Sequence, residues 1–205
     1  MVGLAFIGAL LLSTFQPVFT AEKIPPRVEA RMRGSSYPEE GTAAVSLDEL
    51  RYLRLSYYDF NGVPQTGEMV CNAAIAQDLL EIFEALFEAR YPIRSIRLVD
   101  DFGGSDDASM LADNTSCFNY RVVPGQGHLS RHALGLAVDV NPFENPYIDA
   151  RGVVRPPEAA EFVDRSRDFP HKIDREDLCC RLFRSHGFIW GGGWARSRDY
   201  QHFQK

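Results

Sequence analysis

The chain has 205 residues, 45% of them hydrophobic, which is enough for one domain around a single core. Its net charge is −6, and its 22 Lys and Arg are interspersed with 28 Asp and Glu, which excludes the clustered basic face of a nucleic-acid binder. What composition leaves is a solvated surface around a small-molecule or peptide site.

The first twenty residues, MVGLAFIGALLLSTFQPVFT, carry no charged side chain. Their apolar run, from Val2 to Leu12, is too short to span a bilayer and fits the central region of a secretory signal. No Lys or Arg precedes it, and FTA before Glu22 matches a small-x-small cleavage site poorly. Residues 1–21 are therefore predicted as a signal peptide or retained anchor. The protein is predicted to be exported, to the periplasm or outside the cell, and to meet a membrane only through an uncleaved N-terminus. Export permits disulfides. Cys71, Cys117, Cys179 and Cys180 allow three full pairings, although adjacent Cys179 and Cys180 rarely bond each other. Burial as small apolar side chains is an equal alternative. No C-x-x-C occurs, so a cysteine zinc knot is not expected.

Residues 22–45 are rich in Pro, Gly, Ser and charge and read as a linker arm, leaving 46–205 as the folded domain. SLDELRYL begins with a capped turn at Ser46, and LRLSYYDF reads as a strand followed by the turn FNGVPQTG. From Asn72 to Arg90, Ile75, Leu79, Ile82, Phe83, Leu86 and Phe87 recur at helical spacing behind an Asn72 cap. YPIRSIRLVDDF reads as a loop into a strand, DDASMLADN as a short helix, TSCFNYRVV as a strand. The Pro-rich stretch after LAVDVNP reads as a long surface loop over a cleft. DREDLCCRLFRSHGF reads as a helix from Asp174 ended by Gly187, and the chain closes in a Gly-rich turn and a last strand. Strands mix with helices without a βαβ rhythm, which favours an α+β fold: a small, mostly antiparallel sheet flanked by helices.

LAVDV reads as a buried strand, yet it contains a carboxylate, and an ionised carboxylate there is costly unless paired. Ser130 can cap a turn carrying His132, and Gly135 lets the backbone change direction, so His132 and Asp139 can meet. A histidine nitrogen and a carboxylate oxygen are suitable zinc ligands, and a catalytic zinc takes three protein ligands. His202, in the last strand beside Asp199, is the best candidate for the third. Two other readings are open: Asp139 accepting backbone N–H groups, and His202 as an ordinary edge-strand histidine.

LSRHALGLAVDVNPFENPY followed by WGGGWARSRDYQHFQK resembles the zinc peptidoglycan peptidases of the VanY-like D-alanyl-D-alanine carboxypeptidase and L-alanyl-D-glutamate peptidase family. Ser130, His132, Gly135, Ala137 and Asp139 fill S-x-H-x-x-G-x-A-x-D, and Asp199 and His202 fill D-x-x-H. DDASMLADNTSCFNYR is similar to the segment before the first histidine in the endopeptidase-like branch. The resemblance runs from about Leu50 to Lys205. It implies one Zn²⁺ per chain, on the sheet, held by His132, Asp139 and His202, with Asp199 as general base and peptidoglycan stem peptides as substrates of a monomeric enzyme. Arg121 is the candidate to stabilise the tetrahedral intermediate or hold a substrate carboxylate, and Ser116 to hydrogen-bond substrate. Gly193 and Gln204 stand where the family often has acidic residues, which is expected to bear on substrate fit. His128, four residues before His132, is the rival ligand; His171 and His186 read as a loop and a helix-end residue. Trp190 and Trp194 either line the cleft or pack under the sheet. The competing function is a non-catalytic peptide-binding module that keeps the fold; retention of Asp199 argues against it.

Overall fold

The computed structural model describes residues 15–39, 43–123 and 127–205. The apolar run of the predicted signal segment lies outside them. No helix among the described residues is long and apolar enough to cross a membrane.

Strand β1 (Phe19–Glu22) leads to helix α1 (Pro26–Met32) and then to β2 (Leu50–Tyr58) and β3 (Pro64–Asn72). The three strands form an antiparallel sheet in the order β1-β2-β3, with β2 and β3 paired from Leu50↔Asn72 to Tyr58↔Pro64. Side chains alternate across a strand, and both faces of β2 are used. Leu53, Leu55 and Tyr57 join the main core with Ile75, Leu79, Ile82, Phe83 and Leu86 of α2 (Ala73–Glu88). Leu50 and Tyr52 join Val28 and Met32 of α1 in a second cluster. α2 is the amphipathic helix its spacing predicts, with the Asn72 side chain accepting from Ala74 N at 3.0 Å. Ser46 and Glu49 form the predicted capping box at the entry to β2.

The described part of residues 22–45, a stretch expected as a linker arm, is built into the fold. Val28 and Met32 stand four apart on one helical face and are both fully buried. Arg31 bonds Glu68 at 2.9 Å and Asp101 at 2.6 Å, tying α1 to β3 and to the turn Val99–Phe102.

The strands expected in 91–102 and 115–123 are reduced to parallel β4 (Ser95–Ile96) and β5 (Asn114–Thr115), with α3 (Asp106–Leu111) between them. The Asn114 amide accepts from Arg97 N and donates to Arg97 O, so a side chain takes the place of the next ladder rung. The chain then changes partner: Ser116 exchanges both backbone hydrogen bonds with Asp139, at 2.9 and 3.0 Å.

The remaining strands are β6 (Ala137–Asp139), β7 (Tyr147–Ile148), β8 (Val154–Arg155), β9 (Ile189–Trp190), β10 (Arg198–Asp199) and β11 (His202–Gln204). They form two antiparallel three-stranded sheets, β6-β11-β9 and β10-β7-β8. Helix α4 (Leu178–Ser185) starts later than predicted, because Asp174 is used in a turn and Asp177 is the residue that caps, accepting from Cys179 N at 2.9 Å. All four cysteines are buried and none is disulfide-bonded. The fold is α+β, as expected.

Candidate functional site

The site starts at a turn. The Ser130 side chain accepts from His132 N, and the turn Arg131–Leu134 ends at Gly135 with φ +66°. A Cβ at Gly135 would lie 2.6 Å from Asn72 N, so glycine is needed there for its backbone angle and for its size. The turn delivers His132 beside β6. In β6 and β11, Val138 is paired with Phe203 and both are core residues, which places Asp139 opposite His202 on the other face.

His132 Nε2 is 3.1 Å from Asp139 Oδ2, His202 Nδ1 is 2.9 Å from Asp139 Oδ1, and the two nitrogens are 3.2 Å apart. All three residues are buried. The outer nitrogens have acceptors of their own: His132 Nδ1–H donates to Cys117 O at 2.6 Å and His202 Nε2–H to Gln204 Oε1 at 3.0 Å. With those protons committed outward, the inner atoms are lone-pair donors crowded around one point. Such a cluster repels itself unless a proton or a cation lies within it. These three residues could hold a metal ion, with one ligand atom each within 4.8 Å of the others. The set of two imidazoles and a carboxylate suits zinc. Burial alone would push Asp139 up, but His132 and His202 hold it well below the usual carboxylate range. Burial works to lower His202, yet its hydrogen bond to Asp139 and the charges of Asp139 and Asp199 raise it to about 9.

Asp199 sits in β10, two residues before β11. Its carboxyl rises to about 7, first through burial and then through the charges of Asp139 and Asp106. Its Oδ1 is buried with no hydrogen-bond partner. A Cβ on Gly191 would come within 2.8 Å of Asp199 Cβ and 3.3 Å of His202 Cβ, so the glycine-rich turn leaves room for this corner to close. The site opens into a cleft of about 680 Å³ lined by His132, Asp139, Asp199, His202, Arg121 and Trp194, among others.

Arg121 lines the cleft with Nη2 held by Asp106 Oδ2 at 2.8 Å. Ser116 does not line it: its backbone pairs with Asp139, so its part is to hold β6 rather than to reach substrate. His128 lines the cleft, but its ring lies outside the His132, Asp139, His202 group. His171 stacks on Phe60 and His186 ends α4. The two tryptophans divide the alternatives: Trp194 lines the cleft, its ring 5.3 Å from that of His202, while Trp190 packs against the core and donates to Tyr200 O.

Two residues were not expected here. Asp106 gave no signal, since only the fold brings α3 to Arg121. Gln204 was expected to bear on substrate fit; it lines the cleft and, beyond that expectation, meets a candidate ligand directly. Its signal was present in the alternation of β11, which places residues 202 and 204 on one face.

Residues 124–205 match the model of a family described as D-alanyl-D-alanine carboxypeptidase. The matched segment carries His132, Asp139, Asp199 and His202, whereas Asp106 and Arg121 precede it. No curated protein and no solved structure matches the chain.

Proposed function

From a segment, 124–205, that belongs to the VanY-like family of D-alanyl-D-alanine carboxypeptidases, we propose that the protein is a zinc peptidase hydrolysing an amide bond of peptidoglycan stem peptides. On this reading it is exported and works at the cell wall. The observation that carries the proposal is the meeting of His132, Asp139 and His202 on the wall of a cleft that also holds a buried, unpartnered oxygen of Asp199. Zinc held by the three residues supplies Lewis acidity at the scissile carbonyl and a nucleophilic water near neutral pH.

The chain's own residues account for the proton. Asp199, its Oδ1 buried and without a partner beside the three candidate ligands, takes a proton from the attacking water and hands it to the leaving amine, so that one water is consumed and an acid and an amine are released. Arg121 offers guanidinium N–H groups to the developing oxyanion or to a substrate carboxylate. The terminal D-Ala bond and the L-Ala–D-Glu bond are the two candidates. The family description names the first, and the resemblance of residues 106–121 to the endopeptidase-like branch favours the second.

The test is incubation of zinc-loaded protein with defined muropeptides, read by mass spectrometry. Cleavage is expected, and the product mass names the bond. Asp199→Ala is expected to lower kcat by about 10²–10⁴ while zinc stays bound. Intact muropeptides with zinc present would leave the peptide-binding module as the better reading, and hydrolysis by Asp199→Ala at the wild-type rate would remove Asp199 from the mechanism.

A further inference from the structure

The inward-facing nitrogens of His132 and His202 are set by what each ring bonds on its outer side. Building on the metal reading of the site, we propose that Gln204 is a positioning residue of the metal centre, its side-chain oxygen fixing His202 in the tautomer that offers Nδ1 inward. Gln204 Oε1 lies 3.0 Å from His202 Nε2, and the two residues share one face of β11. With the Nε2 proton donated outward, Nδ1 faces Asp139 Oδ1 and His132 Nε2, and a cation bound among them would take the place of any proton on Nδ1. In the other tautomer the Nε2 lone pair would face the Oε1 lone pairs, and the Nδ1 proton would fill the space a cation needs.

The two histidines are held by different means. His132 uses the carbonyl of Cys117, a buried backbone group. His202 depends on a side chain, so a single substitution can release it. Both acceptors are neutral. Asp106, Asp139 and Asp199 already place three carboxyls around the site. An amide at position 204 orients the ring without adding a fourth, and without the extra donor strength that a carboxylate partner gives a ligating imidazole.

The experiment compares zinc affinity, by competition with a chromophoric chelator, for wild type, Gln204→Leu and Gln204→Glu, each checked for fold by its amide NMR spectrum. Gln204→Leu, which keeps the bulk and loses the acceptor, is expected to bind zinc about 10–100-fold more weakly. Gln204→Glu, which restores an acceptor, is expected to recover most of that loss. The ¹⁵N shifts of His202 in zinc-loaded wild type provide a reading that needs no variant: Nε2–H with Nδ1 on the metal is expected. Zinc bound through His202 Nε2, a Leu variant as tight as wild type, or a Glu variant as weak as Leu overturns the role of Gln204 alone. Wild-type protein that takes up no zinc overturns the metal reading itself, and this inference with it.

Discussion

Arg121 reaches the cleft already engaged: Nη2 bonds Asp106, and Nε is buried without an acceptor. Asp106 is half-buried, and its partial removal from water pushes its carboxyl up, while the Arg121 charge works against that rise. The pair fixes the direction of the guanidinium before substrate arrives, and a preset fork loses less freedom on binding a carboxylate. Asp106→Asn removes a charge-assisted bond of about 1.5–3 kcal/mol. It is expected to raise KM for a muropeptide about tenfold or more with a smaller change in kcat. Arg121→Ala is expected to cost more, and the double variant no more than Arg121→Ala, because Asp106 acts through Arg121. Additive losses would separate the two residues. Residue by residue, the meeting of His132, Asp139 and His202 was legible because they sit beside their own determinants: a Ser130 cap, a Gly135 turn, a strand alternation. Asp106 escaped because its role exists only relative to Arg121, which the fold alone brings to it; the Gln204 contact was encoded in the alternation of β11 but could be read only once His202 had been placed.

The same distinction governs the elements. α2 was legible from its stripe because a long amphipathic helix carries its whole signal locally. β2 was legible for the same reason. The β4–β5 region was not, since its pairing ends where the Asn114 side chain replaces backbone, which no propensity encodes. α1 was missed because one turn of buried face, Val28 and Met32, is a weak pattern within a stretch rich in Pro, Gly and charge. That helix nonetheless carries stability. Met32 is fully buried against Leu50, Tyr52, Val70 and Phe118. Met32→Ala is expected to lower the unfolding free energy by about 2–5 kcal/mol, measured by chemical denaturation. A change under about 0.5 kcal/mol would return residues 22–45 to the status of an arm.

Across the whole molecule, pH enters through a second carboxyl pair, away from the metal site. Asp113 Oδ1 accepts from Phe143 N at 3.0 Å, leaving Asp113 Oδ2 and Glu144 Oε2 buried without a donor. One shared proton satisfies both. Burial first, and then the Asp113 charge, push Glu144 up to about 8, while the charge of Arg94 pulls it down. A carboxyl whose folded value lies above its unfolded one stabilises fully below the unfolded value, and that contribution is lost as pH rises through the folded value. Tm is therefore expected to fall between about pH 5 and pH 9 at constant metal loading, and Glu144→Gln to flatten the fall. An unchanged slope in that variant would show that the pair does not share a proton. The layout of the two C-terminal sheets has one more consequence. β6-β11-β9 carries the metal pair Asp139 and His202, whereas Asp199 belongs to β10-β7-β8, and only Tyr200 and Gln201 join them. Arg165, bonded to Glu144 O, Asn145 Oδ1 and Ile173 O, stacks over Tyr200 and anchors that junction to the long loop. On the proposed function, binding and turnover would thus answer to different stretches of the chain. Drift confined to residues 147–173 would shift Asp199 through its β10 pairing with β7 and spare the candidate ligands, leaving a metal-dependent peptide receptor in place of a peptidase without any change at His132, Asp139 or His202.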